Sequence, residues 1–253
     1  MSPPTMKIAL ERIRNCVNGI LILSNLGLTE LPPLPEGITV LRCDQNELTS
    51  LPKLPSTLKV LHCQQNQLTS LPKLPSLESL SCSHNPLFCL PALPSSLTQL
   101  VCMRNYLTWL PRLPYGLLEL SIDYNYITRL PELPPCLTML GCSYNDLTSL
   151  PSLPPLQSLF CFSNPLISLP ELPSTLIYVV CVLPHNNERF APERVTLDMI
   201  QQVNKENQEW MESQSMSRCM KRCSTYYEEL MHRQWHPDRI IHLYDMGYKP
   251  EDM

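Results

Sequence analysis

Twelve cysteines give this sequence its clearest capacity for metal binding or redox chemistry. Most of them recur at one place in a repeat, where isoleucine stands in two turns. This cysteine column consists of Ile22, Cys43, Cys63, Cys82, Cys102, Ile122, Cys142, Cys161 and Cys181. Sulfurs stacked one strand spacing apart, about 4.8 Å, would form a line rather than a tetrahedron. We therefore predict free thiols that serve as small core residues, without disulfides or metal.

Four more ligand-type residues lie near the C-terminus in the pattern C-x3-C-x8-H-x3-H. They are Cys219, Cys223, His232 and His236. On one continuous helix the two pairs would be about 20 Å apart. Zinc binding would require a chain reversal between residues 224 and 231, where the sequence looks helical. We predict no metal site and no cofactor.

Neither catalysis nor nucleic-acid binding is predicted. The scattered His62, His84 and His185 have no nucleophile or orienting group at a recognisable spacing. The net charge is -4, so the chain lacks the positive field that attracts phosphate backbones or anionic lipids. No stretch approaches the roughly 20 apolar residues of a membrane span, and the N-terminus lacks the apolar core of a signal peptide. We expect a cytoplasmic protein with no evident small-molecule substrate.

The cysteine column belongs to a repeat that asparagine marks. The asparagines are Asn25, Asn46, Asn66, Asn85, Asn105, Asn125, Asn145 and Asn164, separated by 21, 20, 19, 20, 20, 20 and 19 residues. The full unit reads L-x-x-L-x-C-x-x-N-x-L-x-x-L-P-x-L-P. In its strand, Leu61 and Cys63 face one side and His62 faces the other. A buried asparagine at each bend can satisfy backbone groups that the turn leaves unpaired.

The L-P-x-L-P segment favours polyproline II conformation and leaves no room for a helix in each repeat. Residues 17–184 resemble the leucine-rich repeats of secreted bacterial effectors, the LPX subtype. The resemblance implies an α/β solenoid of about nine turns, with parallel strands on the concave face and an extended, polyproline-like convex side. It also implies protein binding. One branch of that family carries a ubiquitin-ligase domain with a Cys-x-Asp motif, which is absent from this sequence.

Open solenoid ends need caps. Residues 1–16 are predicted to be an N-terminal cap, with a helix over 5–15 that presents Ile8, Leu10 and Ile13. Residues 185–253 are predicted to be a C-terminal helical cap or module, with helices over 192–212, 217–235 and 237–246.

Two short resemblances lie in this C-terminal segment. His236-Pro237-Asp238 is similar to the loop of a chaperone J-domain, but Pro237 in the first turn of a helix also explains it. The segment from Tyr226 to Gly247 resembles a C-terminal motif of large DNA viruses of amoebae. That resemblance implies a viral protein made in host cytoplasm and packaged in some cases.

The outward positions of the strands change character along the chain. The early turns present Arg42, Asp44, His62, Gln64, Ser79, Ser81 and Ser83, whereas the later turns present Met103, Tyr124, Met139, Tyr144, Phe160, Phe162, Tyr178, Val180 and Val182. Contiguous exposed aromatic residues usually mark a contact site. The predicted partner-binding residues are Tyr124, Met139, Tyr144, Phe160, Phe162 and Tyr178.

The sequence therefore predicts a non-enzymatic scaffold that binds an unknown protein partner on its concave face. For Phe160 onward, an equally good account is that the C-terminal helices cover these residues. An alternative function is an effector-like adaptor that feeds a ubiquitin or chaperone pathway through the C-terminal module.

Overall fold

The computed structural model describes residues 4–182, 189–190 and 196–213. It begins with α1 (Pro4–Arg14) and then follows nine short strands. These are β1 (Ile20–Ile22), β2 (Val40–Arg42), β3 (Val60–His62), β4 (Ser79–Ser81), β5 (Gln99–Val101), β6 (Glu119–Ser121), β7 (Met139–Gly141), β8 (Ser158–Phe160) and β9 (Tyr178–Val182). A two-residue strand, β10 (Arg189–Phe190), and a helix, α2 (Leu197–Ser213), come last.

The strands form a single sheet in strictly sequential order, β1 to β10. Each strand from β1 to β8 pairs in parallel with the next, and the central leucines stay in register: Leu41 opposes Leu61, which opposes Leu80. The predicted solenoid of about nine parallel strands is confirmed. The antiparallel pairing of β10 with β9 was not predicted.

The core lies between the strands and the return segments. The central leucine of each strand from β2 to β8 and the residues of the cysteine column from Cys43 to Cys181 are fully buried, as Leu61 and Cys63 show. In the return segment, Leu51 and Leu54 of L-P-x-L-P are also buried. Between residues 23 and 177 the segments that join the strands contain no helix, as the proline pattern predicts.

Seven asparagines form a ladder along the bend that follows each strand. They are Asn46, Asn66, Asn85, Asn105, Asn125, Asn145 and Asn164, all buried. Asn66 is typical: its Oδ1 accepts from the Leu48 amide at 3.0 Å, and its Nδ2 donates to the carbonyls of Cys43 and Cys63 at 3.0 and 3.1 Å. Each side chain thus joins two successive turns through backbone groups.

Asn25 does not belong to this ladder, and the predicted alignment of the first turn is wrong by one residue. Asn25 is exposed and has a φ of 57°. The strand register places Leu21 opposite Leu41, so Leu23 fills the slot of the cysteine column and Ile22 points outward with 47% exposure. The extra residue in the first asparagine step, 21 rather than 19 or 20, marks this shift.

Helix α1 lies against the first turn. Its bounds match the predicted helix within a residue, but its inward side chains are Ala9, fully buried, and Ile13. Ile8 and Leu10 are exposed, contrary to the prediction. Arg12 Nη1 donates to the Ile22 carbonyl at 3.0 Å, so α1 also satisfies part of the otherwise open edge of β1.

The last turn is closed by β10 and by the beginning of α2. Ile200 and Val203 are buried in the core cluster. Asn204 makes a pair of hydrogen bonds with the backbone of Leu172: its Oδ1 accepts from the amide at 2.8 Å, and its Nδ2 donates to the carbonyl at 3.1 Å. These contacts place the start of α2 against the return segment between β8 and β9.

The chain divides into two compact units, Met1–Asn204 and Lys205–Met253. The C-terminal residues of the C-x3-C-x8-H-x3-H pattern, the His-Pro-Asp tripeptide and the virus-like motif all lie outside the described residues, as do the predicted second and third C-terminal helices. Neither described helix is long and apolar enough to cross a membrane.

Candidate functional site

Each turn presents four outward positions, and together these positions make the strand face. Three alternate with the buried leucine and cysteine of the strand, and the fourth directly precedes the ladder asparagine. In the sixth turn they are Glu119, Ser121, Asp123 and Tyr124. Because the buried positions alone supply the core, the outward residue types are not set by packing.

The fourth position has a left-handed backbone in every turn from the first to the eighth. Its residues are Asn25, Gln45, Gln65, His84, Arg104, Tyr124, Tyr144 and Ser163, with φ between 51° and 57°. Asparagine tolerates this conformation, whereas a bulky side chain is disfavoured there. The backbone therefore gives no reason for a tyrosine at this position.

Three of these side chains, those of Arg104, Tyr124 and Tyr144, stack along the face with Phe162, which is the third outward residue of the eighth turn. The guanidinium of Arg104 lies 4.4 Å from the ring centroid of Tyr124. Tyr124 and Tyr144 stack nearly parallel, with centroids 4.2 Å apart, and Phe162 meets Tyr144 edge-on at 5.8 Å. Tyr124 and Tyr144 each remain 38% exposed. We call Arg104, Tyr124, Tyr144 and Phe162 the aromatic stack.

The hydroxyl groups of the two tyrosines also interact with each other. Burial, a hydrogen bond with Tyr144 and the charge of Asp123 raise the pKa of Tyr124, while Arg104 acts in the opposite direction. The Tyr124 phenol therefore stays protonated at neutral pH and remains a hydrogen-bond donor.

The remaining predicted residues lie in other columns of the strand face. Half-buried Phe160 pairs in register with Gly141. Met139 and Tyr178 share a column with Ser158 between them, and Tyr178 is 55% exposed. The structure thus brings the rings of Tyr124, Tyr144 and Phe162 into contact. Met139 and Tyr178 lie in the seventh and ninth turns, with the eighth turn between them.

Asp123 lies beside the aromatic stack in a space that Gly141 leaves open. Its Oδ1 accepts from the Ser143 amide at 2.8 Å. Its Oδ2 lies 2.7 Å from the position where a Cβ on residue 141 would stand. Burial raises the pKa of the Asp123 carboxyl, although hydrogen bonds from Ser143 act in the opposite direction.

Glu119 is held by a chain of polar side chains across three turns. Ser79 Oγ donates to Gln99 Oε1 at 2.7 Å, and Gln99 Nε2 donates to Glu119 Oε2 at 2.7 Å. Two carboxylates, those of Glu119 and Asp123, therefore project from the same turn with fixed neighbours. We call Asp123, together with Gly141, the acidic niche.

Sequence reasoning missed a second aromatic cluster, which follows the ladder asparagines. Phe88, Tyr106 and Tyr126 have successive ring centroids 5.5 and 6.0 Å apart. Trp109 is 52% exposed in the same turn as Tyr106. Tyrosine directly after Asn105 and Asn125 was the available signal.

The buried thiols are poor nucleophiles. Burial, with a smaller contribution from Asp44, raises the pKa of Cys43 to about 12, and burial also raises the pKa of Cys142. All column cysteines are free. Since the thiolate is the reactive and metal-binding form, a raised pKa makes Cys43 and Cys142 poor nucleophiles and poor metal ligands at neutral pH.

Several solved structures have similar sequences. No protein-family model and no curated protein sequence matches. The leucine-rich-repeat domain of a Shigella effector is 35% identical, with 72% of this chain and 76% of that domain covered and a TM-score of 0.49. The chain belongs to the leucine-rich-repeat family.

Two YopM structures are also similar to this leucine-rich-repeat protein. YopM of Yersinia pestis, described as a leucine-rich effector protein, is 32% identical, with 70% of this chain and 65% of that chain covered and a TM-score of 0.49. YopM of Yersinia enterocolitica is 29% identical, with 68% and 58% covered and a TM-score of 0.48. The chain therefore spans about three fifths of the YopM chains.

Proposed function

We propose that this leucine-rich-repeat protein is a scaffold that binds another protein on its strand face, and that turns five to eight make the contact. The supporting observation is the exposed, stacked pair Tyr124 and Tyr144 at left-handed positions. A left-handed backbone at such a residue costs about 1 to 2 kcal/mol. Neither residue contributes to the core, so contact with a partner would explain why tyrosine occupies both positions.

The geometry of the stack suits a binding hot spot. Tyrosine supplies a large, rigid surface with few rotatable bonds, and hot spots are enriched in tyrosine and arginine. Arg104 and Phe162 flank the two tyrosines and restrict their ring rotation, so less side-chain entropy is lost on binding. Half-buried Phe160 and exposed Tyr178 extend the apolar area toward the last turn.

Asn204 hydrogen-bonds with the backbone of Leu172, so the start of α2 lies on the return side. This contact favours a partner over the start of α2 as the cover of Tyr124 and Tyr144. From the resemblance of the segment from Tyr226 to Gly247 to a viral motif, we also propose that the protein is viral and acts on host or virion components.

The test is affinity capture with wild-type protein and with the double variant Tyr124→Asn/Tyr144→Asn. Asparagine tolerates the left-handed backbone and removes both rings. Loss of ring stacking costs about 0.5 to 1.5 kcal/mol, and relief of the strained backbone offsets a similar amount. Stability should therefore change little, while proteins retained by the wild type should be lost.

A matched control exists in the early turns. Gln45→Asn/Gln65→Asn changes the same two positions of neighbouring turns, with the same backbone conformation. This control should retain every captured protein. If the tyrosine variant captures the same proteins as the control, with equal yield, the strand face of turns five to eight is not the binding site.

A further inference from the structure

Charge on the strand face is unevenly distributed. The early turns mix signs, with Arg42 and Asp44 in the second turn. From the sixth turn to the ninth, the charged residues at the outward positions are Glu119 and Asp123, both acidic. The nearest basic group along the face is Arg104, and its guanidinium is already placed over the Tyr124 ring. The proposed contact region therefore contains an apolar surface with a local negative charge.

Asp123 carries an uncompensated charge. Within the described residues, Lys59 and Glu78 form an ion pair, but it lies on earlier turns than Asp123. Asp123 has hydrogen bonds from Ser143 but no cationic partner there. A carboxylate that is partly removed from water without a counter-ion is energetically unfavourable, as the raised pKa of Asp123 reflects. A cation supplied by a bound partner would offset this cost.

Gly141 makes room for this arrangement. It is the only glycine in the nine parallel strands. Glycine weakens a strand and often marks a place where another group approaches closely. Here the approaching group is the Asp123 carboxylate, because a Cβ at residue 141 would lie 2.7 Å from Oδ2. Alanine would therefore push the carboxylate from its present position.

We infer that the acidic niche receives a basic side chain, lysine or arginine, from an extended segment of the partner protein, while apolar residues next to it pack on Tyr144 and Phe160. This inference rests on the proposed function and adds the chemistry of the partner. The negative charge of the niche favours a basic residue. The exposed edges of the stacked rings, on the adjacent columns, favour apolar residues next to it.

The experiment is selection of random peptides displayed on phage against wild-type protein and against Asp123→Asn. Asparagine keeps the size of the side chain and an oxygen that can accept from the Ser143 amide, but removes the charge. Peptides selected by the wild type should be enriched in a basic residue beside an apolar residue. Those selected by Asp123→Asn should not be enriched in basic residues.

A double-mutant cycle with one selected peptide then measures the contact. Replacing its basic residue with a neutral residue of similar length should weaken binding to the wild type by about tenfold or more, but should change binding to Asp123→Asn much less. Gly141→Ala should weaken binding of the basic peptide more than of the neutral one. Asp44→Asn, on an early turn, is the control and should bind like the wild type.

The outcomes separate this inference from the proposed function. Selected peptides that need Tyr124 and Tyr144 but show no basic preference, or that lose equal affinity on both proteins when neutralised, would overturn the inference alone. Selected peptides that bind equally to Tyr124→Asn/Tyr144→Asn, or a selection that yields no peptide, would overturn both.

Discussion

Replacement of Asn105 with alanine tests the asparagine ladder near its centre. Asn105 is buried, and its Nδ2 donates to the carbonyls of Cys82, Cys102 and Met103 at 3.2, 3.1 and 3.1 Å. Its Oδ1 accepts from the Leu87 amide at 3.2 Å. Alanine would remove all four hydrogen bonds at once.

The cost is smaller than four hydrogen bonds, because the three carbonyls keep other donors. The neighbouring ladder residues Asn85 and Asn125 still donate to Cys82 and Cys102. The His84 amide still donates to Met103. The Leu87 amide is the one group that would be left buried without an acceptor, and such a group costs about 1 to 3 kcal/mol.

Urea unfolding followed by far-ultraviolet circular dichroism measures this change in the free energy of unfolding. We expect Asn105→Ala to lose about 1 to 3 kcal/mol, with a lower transition midpoint. The matched control is Asn25→Gly, since Asn25 lies outside the ladder and glycine accepts its left-handed backbone. A loss below about 0.5 kcal/mol for Asn105→Ala, or an equal loss for Asn25→Gly, would refute the reasoning.

Two further predictions concern titratable groups. Alkylation of the native protein at mildly alkaline pH should modify exposed Cys89 and Cys136 but spare Cys43, because burial raises the pKa of Cys43 to about 12. Peptide mass spectrometry measures the rate at which each cysteine is labelled. Labelling of Cys43 as fast as that of Cys89 would contradict the prediction. Because the pKa of Asp123 is raised in the folded state, its charged form opposes folding, so Asp123→Asn should be more stable than the wild type at neutral pH. That advantage in stability should disappear as the pH falls below the ordinary carboxyl pKa of 3.8. Thermal unfolding of both proteins at several pH values measures it, and a difference in stability that does not change with pH would argue against the prediction.

The repeat could be predicted from the sequence because the same pattern of residue types recurs in every turn. The leucines, cysteines and prolines of each turn serve the same core in the same way, so a single unit such as residues 58–75 predicts the others. The ladder asparagines from Asn46 onward were predicted correctly for the same reason. The first turn was misaligned because asparagine is favoured at two adjacent positions, the ladder and the left-handed residue before it.

The ends and the surface lack such repetition. Strand β10 has two residues, too few for any period, so no pattern in the sequence could predict its pairing. On the surface, sequence reasoning found Tyr124 and Tyr144 but treated them as strand residues. Their contact depends on the left-handed position, and the approach of Asp123 to Gly141 depends on side-chain directions between turns. Neither is encoded in residue spacing.

The strictly sequential order of the strands has a consequence for how such a protein can change in length. Since Leu61 is opposite Leu80, and every turn meets just its two neighbours, duplication of one turn creates no clash elsewhere. It would move everything beyond it by one strand spacing, about 4.8 Å. The distance between the polar early turns and the aromatic stack is thus a quantity that evolution, or an engineer, can change in discrete steps without altering either surface.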